Sequence, residues 1–222
     1  MPREQQKRVI RMDKEKAQAV MDALEGLYPE AKAELHFTNP YETLMATILS
    51  AQCTDKRVNQ VTEPLFRRYP DAAAMAQLTP EELEPLIKSC GLYHNKAKNI
   101  VAACRALVEQ YGGQVPADRQ KLMALPGVGQ KTAGVVLLAA FGDDQIPVDT
   151  HVFRVSNRIG LAHATTPSGV EKQLRELLPQ EIWSHAHHLL IWHGRRCCAA
   201  RTPACERCPL NNGLCERNTL ED

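Results

Sequence analysis

Two residues in this chain of 222 stand where chemistry at a carbon centre could be done. Lys131 lies in LPGVGQKTAGVVL and Asp149 in VDTHVFR, eighteen residues further on, and each sits at the start of a helix-like pattern. The positive end of a helix macrodipole works against a protonated amine in the first turn. Partial burial of Lys131 would act in the same direction. An unprotonated lysine is a nucleophile that forms Schiff bases with carbonyl carbons. A surface lysine that only touches phosphate explains Lys131 equally well. A carboxylate beside such an amine suits a sugar anomeric carbon, because it can stabilise oxocarbenium charge or assist proton transfer while the amine attacks. Asp149 also has the type and place of an N-cap, and that role alone would account for it.

A third chemical signal is the cysteine tail. Five of the eight cysteines fall between 197 and 215, and Cys198, Cys205, Cys208 and Cys215 read C-x6-C-x2-C-x6-C. Four thiolates in one short loop suit a [4Fe–4S] cluster. Zinc is the rival, but structural zinc sites typically show two close ligand pairs, and here there is a single C-x2-C. His187, His188 and His193 could supply zinc ligands or be packing residues of WSHAHHLLIWH, and Cys197 is a spare thiol beside the first ligand. Cys53, Cys90 and Cys104 are scattered and read as small buried hydrophobes. The N-terminus is highly charged with no apolar signal region, so a cytoplasmic location and reduced thiols are expected. The longest apolar run, AGVVLLAAF, is too short to cross a bilayer.

The elements that must position these residues are helical. Segments 17–29, 41–52, 58–70, 74–91 and 95–113 repeat apolar residues at three- and four-residue spacing, and strand-like alternation is absent, so the predicted class is all-α. Further helices are expected in RQKLMAL, QKTAGVVLLAAFG, DTHVFRVSNRIGLA, VEKQLRELLPQ and WSHAHHLLIWHGRRCC. GVGQKT has the residue order of a nucleotide phosphate loop, but Gln130 occupies the place of its glycine and the segment before it is helical, not a strand. As a hairpin between helices it makes better sense. Gly127 and Gly129 permit the sharp reversal, and the amides of Val128, Gly129 and Gln130 project from the start of the next helix. Free N–H groups there bind anions, and a phosphodiester held this way is held without reading sequence. A plain corner between helices has the same signature.

Composition excludes little. Hydrophobic residues make up 44% and charged residues 24%, ordinary for a globular protein, and the 5% aromatic content leaves the core to Leu, Val, Ile and Ala. The net charge is +1, but it is uneven. Arg3, Lys7, Arg8, Arg11, Lys14 and Lys16 outnumber Glu4, Asp13 and Glu15, and Arg195, Arg196, Arg201 and Arg207 face only Glu206. These stretches could hold a polyanion or be solvated surface.

Together, LPGVGQKTAGVVL and VDTHVFRVSNR resemble the helix-hairpin-helix DNA glycosylases, with lysine and aspartate in the two catalytic positions. The cysteine tail resembles the iron–sulfur loop of the endonuclease III family, with one extra residue before Cys215 that Asn211-Asn212-Gly213 most easily absorbs. NPYETLMATILSAQCTD resembles the family's early helix and loop, and CGLYHNKAKNI the segment carrying its wedge residue. The resemblance implies a helical barrel domain over 33–143 with the hairpin, and an iron–sulfur cluster domain made of 1–32 plus 144–222, with DNA in the cleft between. It implies a bifunctional DNA glycosylase and AP lyase of base excision repair, removing oxidised pyrimidines through a Lys131 Schiff base and cutting 3′ of the abasic site by β-elimination. Asp149 would assist. Chemistry on a duplex base requires flipping it out. By the same resemblance Gln52 would fill the gap and Leu92 would press into the opposite strand, though Gln52 may only end a helix and Leu92 may be core. The cofactor would be a [4Fe–4S] cluster on Cys198, Cys205, Cys208 and Cys215. The partner would be double-stranded DNA containing damaged bases or abasic sites, bound by a monomer without a membrane. Two other readings stand beside it: a monofunctional mismatch glycosylase of the same superfamily, which would lack the lysine and carry a further C-terminal domain, and a non-enzymatic DNA-binding module with a zinc site.

Overall fold

The structure, a computed structural model, describes residues 12–219. Arg3, Glu4, Lys7, Arg8 and Arg11 lie outside the described residues. Within them the secondary structure is helix and turn, with no strand. The α-helices are α1 Lys14–Leu27, α2 Pro40–Leu49, α3 Asp55–Arg68, α4 Ala72–Ala76, α5 Pro80–Ile87 and α6 Tyr93–Tyr111. They continue as α7 Arg119–Met123, α8 Gln130–Phe141, α9 Thr150–Ile159, α10 Pro167–Leu177 and α11 Trp183–Arg196. The all-α expectation holds. No helix among the described residues is long and apolar enough to cross a membrane.

Most helix starts are written in the sequence. Asp13, Asn39, Thr54, Asp71, Thr79, Asp118, Asp149 and Thr166 each accept a bond from a first-turn amide of the helix that follows. Such a cap stabilises a helix by about 1 kcal/mol. The capping box at Thr79 and Glu82, with Pro80 at the first position, splits the single helix expected over 74–91 into α4 and α5. A 3-10 turn, Lys88–Cys90, follows α5. Three helices start without a side-chain cap, namely α6 after Leu92, α8 after Gly129 and α11 after Ile182. The first two of these starts carry candidate DNA contacts.

Contacts divide the chain into two units, Ala33–Gln145 and a second made of the residues up to Lys32 together with those from Ile146 onward. In the first, every residue of α2 from Tyr41 to Leu49 is buried except Glu42, as befits a central helix apolar on all sides. α6 supplies Ile100, Cys104 and Leu107 to the same core, and α8 supplies Ala133, Val136 and Leu137. In the second unit, Val20, Met21 and Leu24 of α1 share a core with Val152, Val155 and Ile159 of α9 and with Leu189 and Leu190 of α11. The Trp192 indole donates to Lys32 O at 3.2 Å, and His185 pairs with Glu25, so α1 is fastened to α11.

Candidate functional site

In the Ala33–Gln145 unit the site is built on the hairpin between α7 and α8. Leu125 and Val128 are buried and anchor it, and the Val128 amide donates to Leu125 O at 3.1 Å inside the turn. That bond engages the Val128 amide inside the hairpin. Gly127 has φ 78°, and a Cβ there would lie 2.8 Å from the Asn99 Cβ, so glycine is required on two grounds. Gly129 has no side chain to cap α8, so the first-turn donors of this helix are left without a side-chain acceptor from the N-cap. Lys131 is the second residue of α8 and is exposed. Burial, one of the two influences that would lower a lysine pKa there, is therefore absent at Lys131.

The same unit carries the two inserting candidates. Gln52 has φ 54° and Leu92 φ 47°, and they are the only non-glycine residues with positive φ among those described. A left-handed backbone costs an L-residue about 1–2 kcal/mol, and such strain gathers at functional sites. Leu92 is 54% exposed, so it is not core. The left-handed turn at Gln52 also explains why α2 stops at Leu49 rather than running to 52.

In the second unit Asp149 caps α9, its Oδ1 accepting from His151 N and Val152 N, both at 2.8 Å. The cap role is therefore real. It also fixes a half-buried carboxylate at a defined point, with Val148 and Ile146 buried just before it. His187, itself buried, sits 2.8 Å from Pro147 O through Nδ1, the nitrogen that must donate, and so holds the entry to Asp149. That places His187 away from any zinc role. Burial pushes the His151 imidazole below its usual range, with Asp149 pulling it up and Arg154 and Arg195 adding to the fall.

The helix that begins at Asp149 also grips the cysteine loop. Arg154 donates from NH2 to Gly194 O at 2.9 Å and to Cys198 O at 3.1 Å. Arg158 donates to Ala199 O at 2.6 Å and Ala200 O at 2.7 Å, and its NH1 lies 3.6 Å from Cys198 Sγ. Close approach of α11 needs Gly194, where a Cβ would meet His151 Cβ at 3.0 Å. The sequence reading did not single out the two arginines; their spacing of one helical turn in VDTHVFRVSNR is the signal that could have found them.

All five tail cysteines line one small cavity. The closest donor set is His193, Cys197 and Cys208, whose ligand atoms all lie within 4.8 Å of one another. His193 Nε2 is 3.7 Å from Cys208 Sγ and its Nδ1 is 3.3 Å from the Tyr28 hydroxyl, while burial pushes the imidazole down to about 4. Asn211, Asn212 and Gly213 are exposed and bulge out between Leu210 O and Cys215 N, which bond at 3.1 Å. Gly213 takes φ 94° in this bulge. Soft thiols converging on one cavity, with the Arg158 guanidinium beside them to offset thiolate charge, fit a metal group.

Residues 45–180 match the model of the HhH-GPD superfamily base excision DNA repair proteins. Endonuclease III of Synechocystis is 50% identical over 198 residues, 89% of this chain and 90% of that one. Endonuclease III of Escherichia coli K12 is 46% identical over 205 residues, 92% of this chain and 97% of that one. A solved structure of a trapped endonuclease III–DNA covalent intermediate superposes with a TM-score of 0.89 at 45% identity, covering 94% of this chain and 98% of that one.

Proposed function

Because the chain belongs to the HhH-GPD superfamily of base excision DNA repair proteins, and within it to the endonuclease III family, we propose that its chemistry runs on Lys131 and Asp149. The protein is a DNA N-glycosylase and AP lyase of base excision repair, and it binds DNA. The observation that carries the assignment of residues is the position of Lys131, an exposed amine on the first turn of the helix that follows the hairpin.

The Lys131 amine attacks C1′ of a damaged nucleotide; the new C–N bond forms as the glycosidic bond breaks and the base departs with its electron pair and a proton. Opening of the sugar ring leaves a Schiff base. Loss of the C2′ proton and breakage of the C3′–O bond then cut the strand on the 3′ side. Asp149, held by two amides, offers fixed negative charge to the positive C1′ and a place for protons in transit. Gly129 and Gln130 hold a phosphate at the start of α8. Gln52 and Leu92 occupy the gap left by the extruded base, because an apolar side chain keeps an unstacked step open. The substrates are oxidised pyrimidines and abasic sites in duplex DNA, and the enzyme works as a monomer.

The cysteine loop is a metal-cofactor site. We assign it a [4Fe–4S] cluster on Cys198, Cys205, Cys208 and Cys215, which when bound supplies a rigid frame for the loop bearing Arg201 and Arg207. The proximity of His193, Cys197 and Cys208 favours a second reading, zinc on a nitrogen–sulfur set. Absorbance near about 400 nm after anaerobic purification is expected of the cluster and not of zinc. Borohydride trapping on duplex DNA with thymine glycol or an abasic site tests the nucleophile: the intact protein gives a covalent adduct and Lys131→Ala gives none. Equal trapping by the variant would assign another amine.

A further inference from the structure

Lys96 is 4% exposed and is the only lysine, arginine, aspartate or glutamate in the buried set among the described residues. Its Nζ donates to Leu49 O at 2.8 Å and to Cys90 O at 2.7 Å. Leu49 ends α2, three residues before Gln52, and Cys90 ends the 3-10 turn, two residues before Leu92. Carbonyls at helix ends lack intrahelical donors, and the negative end of the helix dipole favours a cation there. One ammonium therefore satisfies the orphan acceptors of two elements at once. The backbone of Lys96 takes part as well, since its N–H donates to Leu92 O at 3.1 Å and closes the first turn of α6. The Cys53 and Cys90 side chains meet at the same place by a hydrogen bond. The two left-handed residues are thus the tips of two loops fastened at one buried point.

We propose that Lys96 is a positioning residue for DNA insertion, setting the backbones of Gln52 and Leu92 together by tying the end of α2 to the turn before α6. The inference rests on the reading of Gln52 and Leu92 as the inserting pair. Lys96 touches no DNA in this arrangement; it acts through the carbonyls of Leu49 and Cys90. Its burial also pushes the amine below the usual lysine range, but either protonation state donates to both oxygens.

Lys96→Met keeps the apolar stem and removes the donor. Extrusion is read as the fluorescence rise of 2-aminopurine placed next to a lesion in duplex DNA. Borohydride trapping on a single-stranded abasic oligonucleotide, where no base has to leave a stack, reads the amine chemistry alone. Extrusion should slow by about tenfold, since two buried acceptors are left unsatisfied, while single-strand trapping stays at the wild-type level. Wild-type extrusion, or an equal loss on both substrates, overturns the proposal. Lys96→Gln, whose shorter amide cannot reach both carbonyls, is judged by the same split where Lys96→Met does not fold. Gln52→Ala and Leu92→Ala run beside them. If neither slows extrusion, the reading of the two loops has failed; if both do and the Lys96 variants do not, only the inference about Lys96 has.

Discussion

Replacing Asp149 with asparagine separates its two possible roles. The side chain caps α9 through one oxygen that accepts two 2.8 Å bonds, from His151 N and Val152 N. Asparagine keeps that oxygen and ranks with aspartate as an N-cap. What it loses is the negative charge at the helix start, worth about 0.3–1 kcal/mol. For a chain of this size that lowers the melting temperature by about 1–4 °C. Removing a group that acts on charge or protons in the transition state slows the chemistry by about 10²–10⁴-fold, or roughly 3–5 kcal/mol of barrier. The barrier change should therefore exceed the stability change several-fold. Thermal unfolding by circular dichroism and single-turnover cleavage of a thymine glycol duplex measure the two quantities. Asp149→Ala serves as the comparison, adding the loss of the cap at about 1 kcal/mol. Turnover of Asp149→Asn within about threefold of wild type would refute the catalytic role, and Asp149 would then be a cap alone.

Leu92→Gly should leave stability unchanged or raise it by up to about 1 kcal/mol, because relief of the left-handed backbone outweighs the added chain entropy; denaturant unfolding checks this, and duplex cleavage should fall in the same variant. Gly127→Ala should destabilise by about 1–3 kcal/mol, since φ 78° and the 2.8 Å approach to Asn99 both forbid a Cβ, and binding to undamaged duplex should weaken with it in a titration. Burial pushes His188 down to about 4 from an ordinary 6.5, helped by the nearby His185. The unfolded chain then takes up its proton first as pH falls, so the folded state loses up to about 3 kcal/mol between pH 6.5 and 4. Equilibrium unfolding across that range should show a shallower slope for His188→Leu.

What the sequence could reveal was local. The caps, the proline starts and the glycine hairpin each involve residues within four positions of one another, so their chemistry is readable without knowing the fold. The cysteine spacing is readable within one short segment from Cys198 to Cys215, and so is the bulge at Asn211–Gly213. The features that escaped reading join distant segments. Lys96 reaches Leu49 across 47 positions, His187 reaches Pro147 across 40, and Arg158 holds Ala199 across 41. Nothing in the sequence near Lys96 distinguishes it from a solvated helix lysine. The left-handed backbones at Gln52 and Leu92 were equally hidden, because neither residue type prefers that conformation. The exposure of Lys131 was not legible for a related reason: burial depends on what packs above a residue, which its neighbours in sequence do not state.

The division of the second unit around residues 33–145 has a consequence for how the chain is made. α1 precedes the inserted unit in synthesis, yet the α11 residue that pairs with its Glu25, His185, comes 160 positions later. The inserted unit has its full core in hand much sooner and can close while α1 waits with Val20, Met21 and Leu24 uncovered. The cysteine loop, too, is completed only after α11. Docking of the first helix therefore belongs to a late stage, and until then the nascent chain shows an apolar helix face to its surroundings.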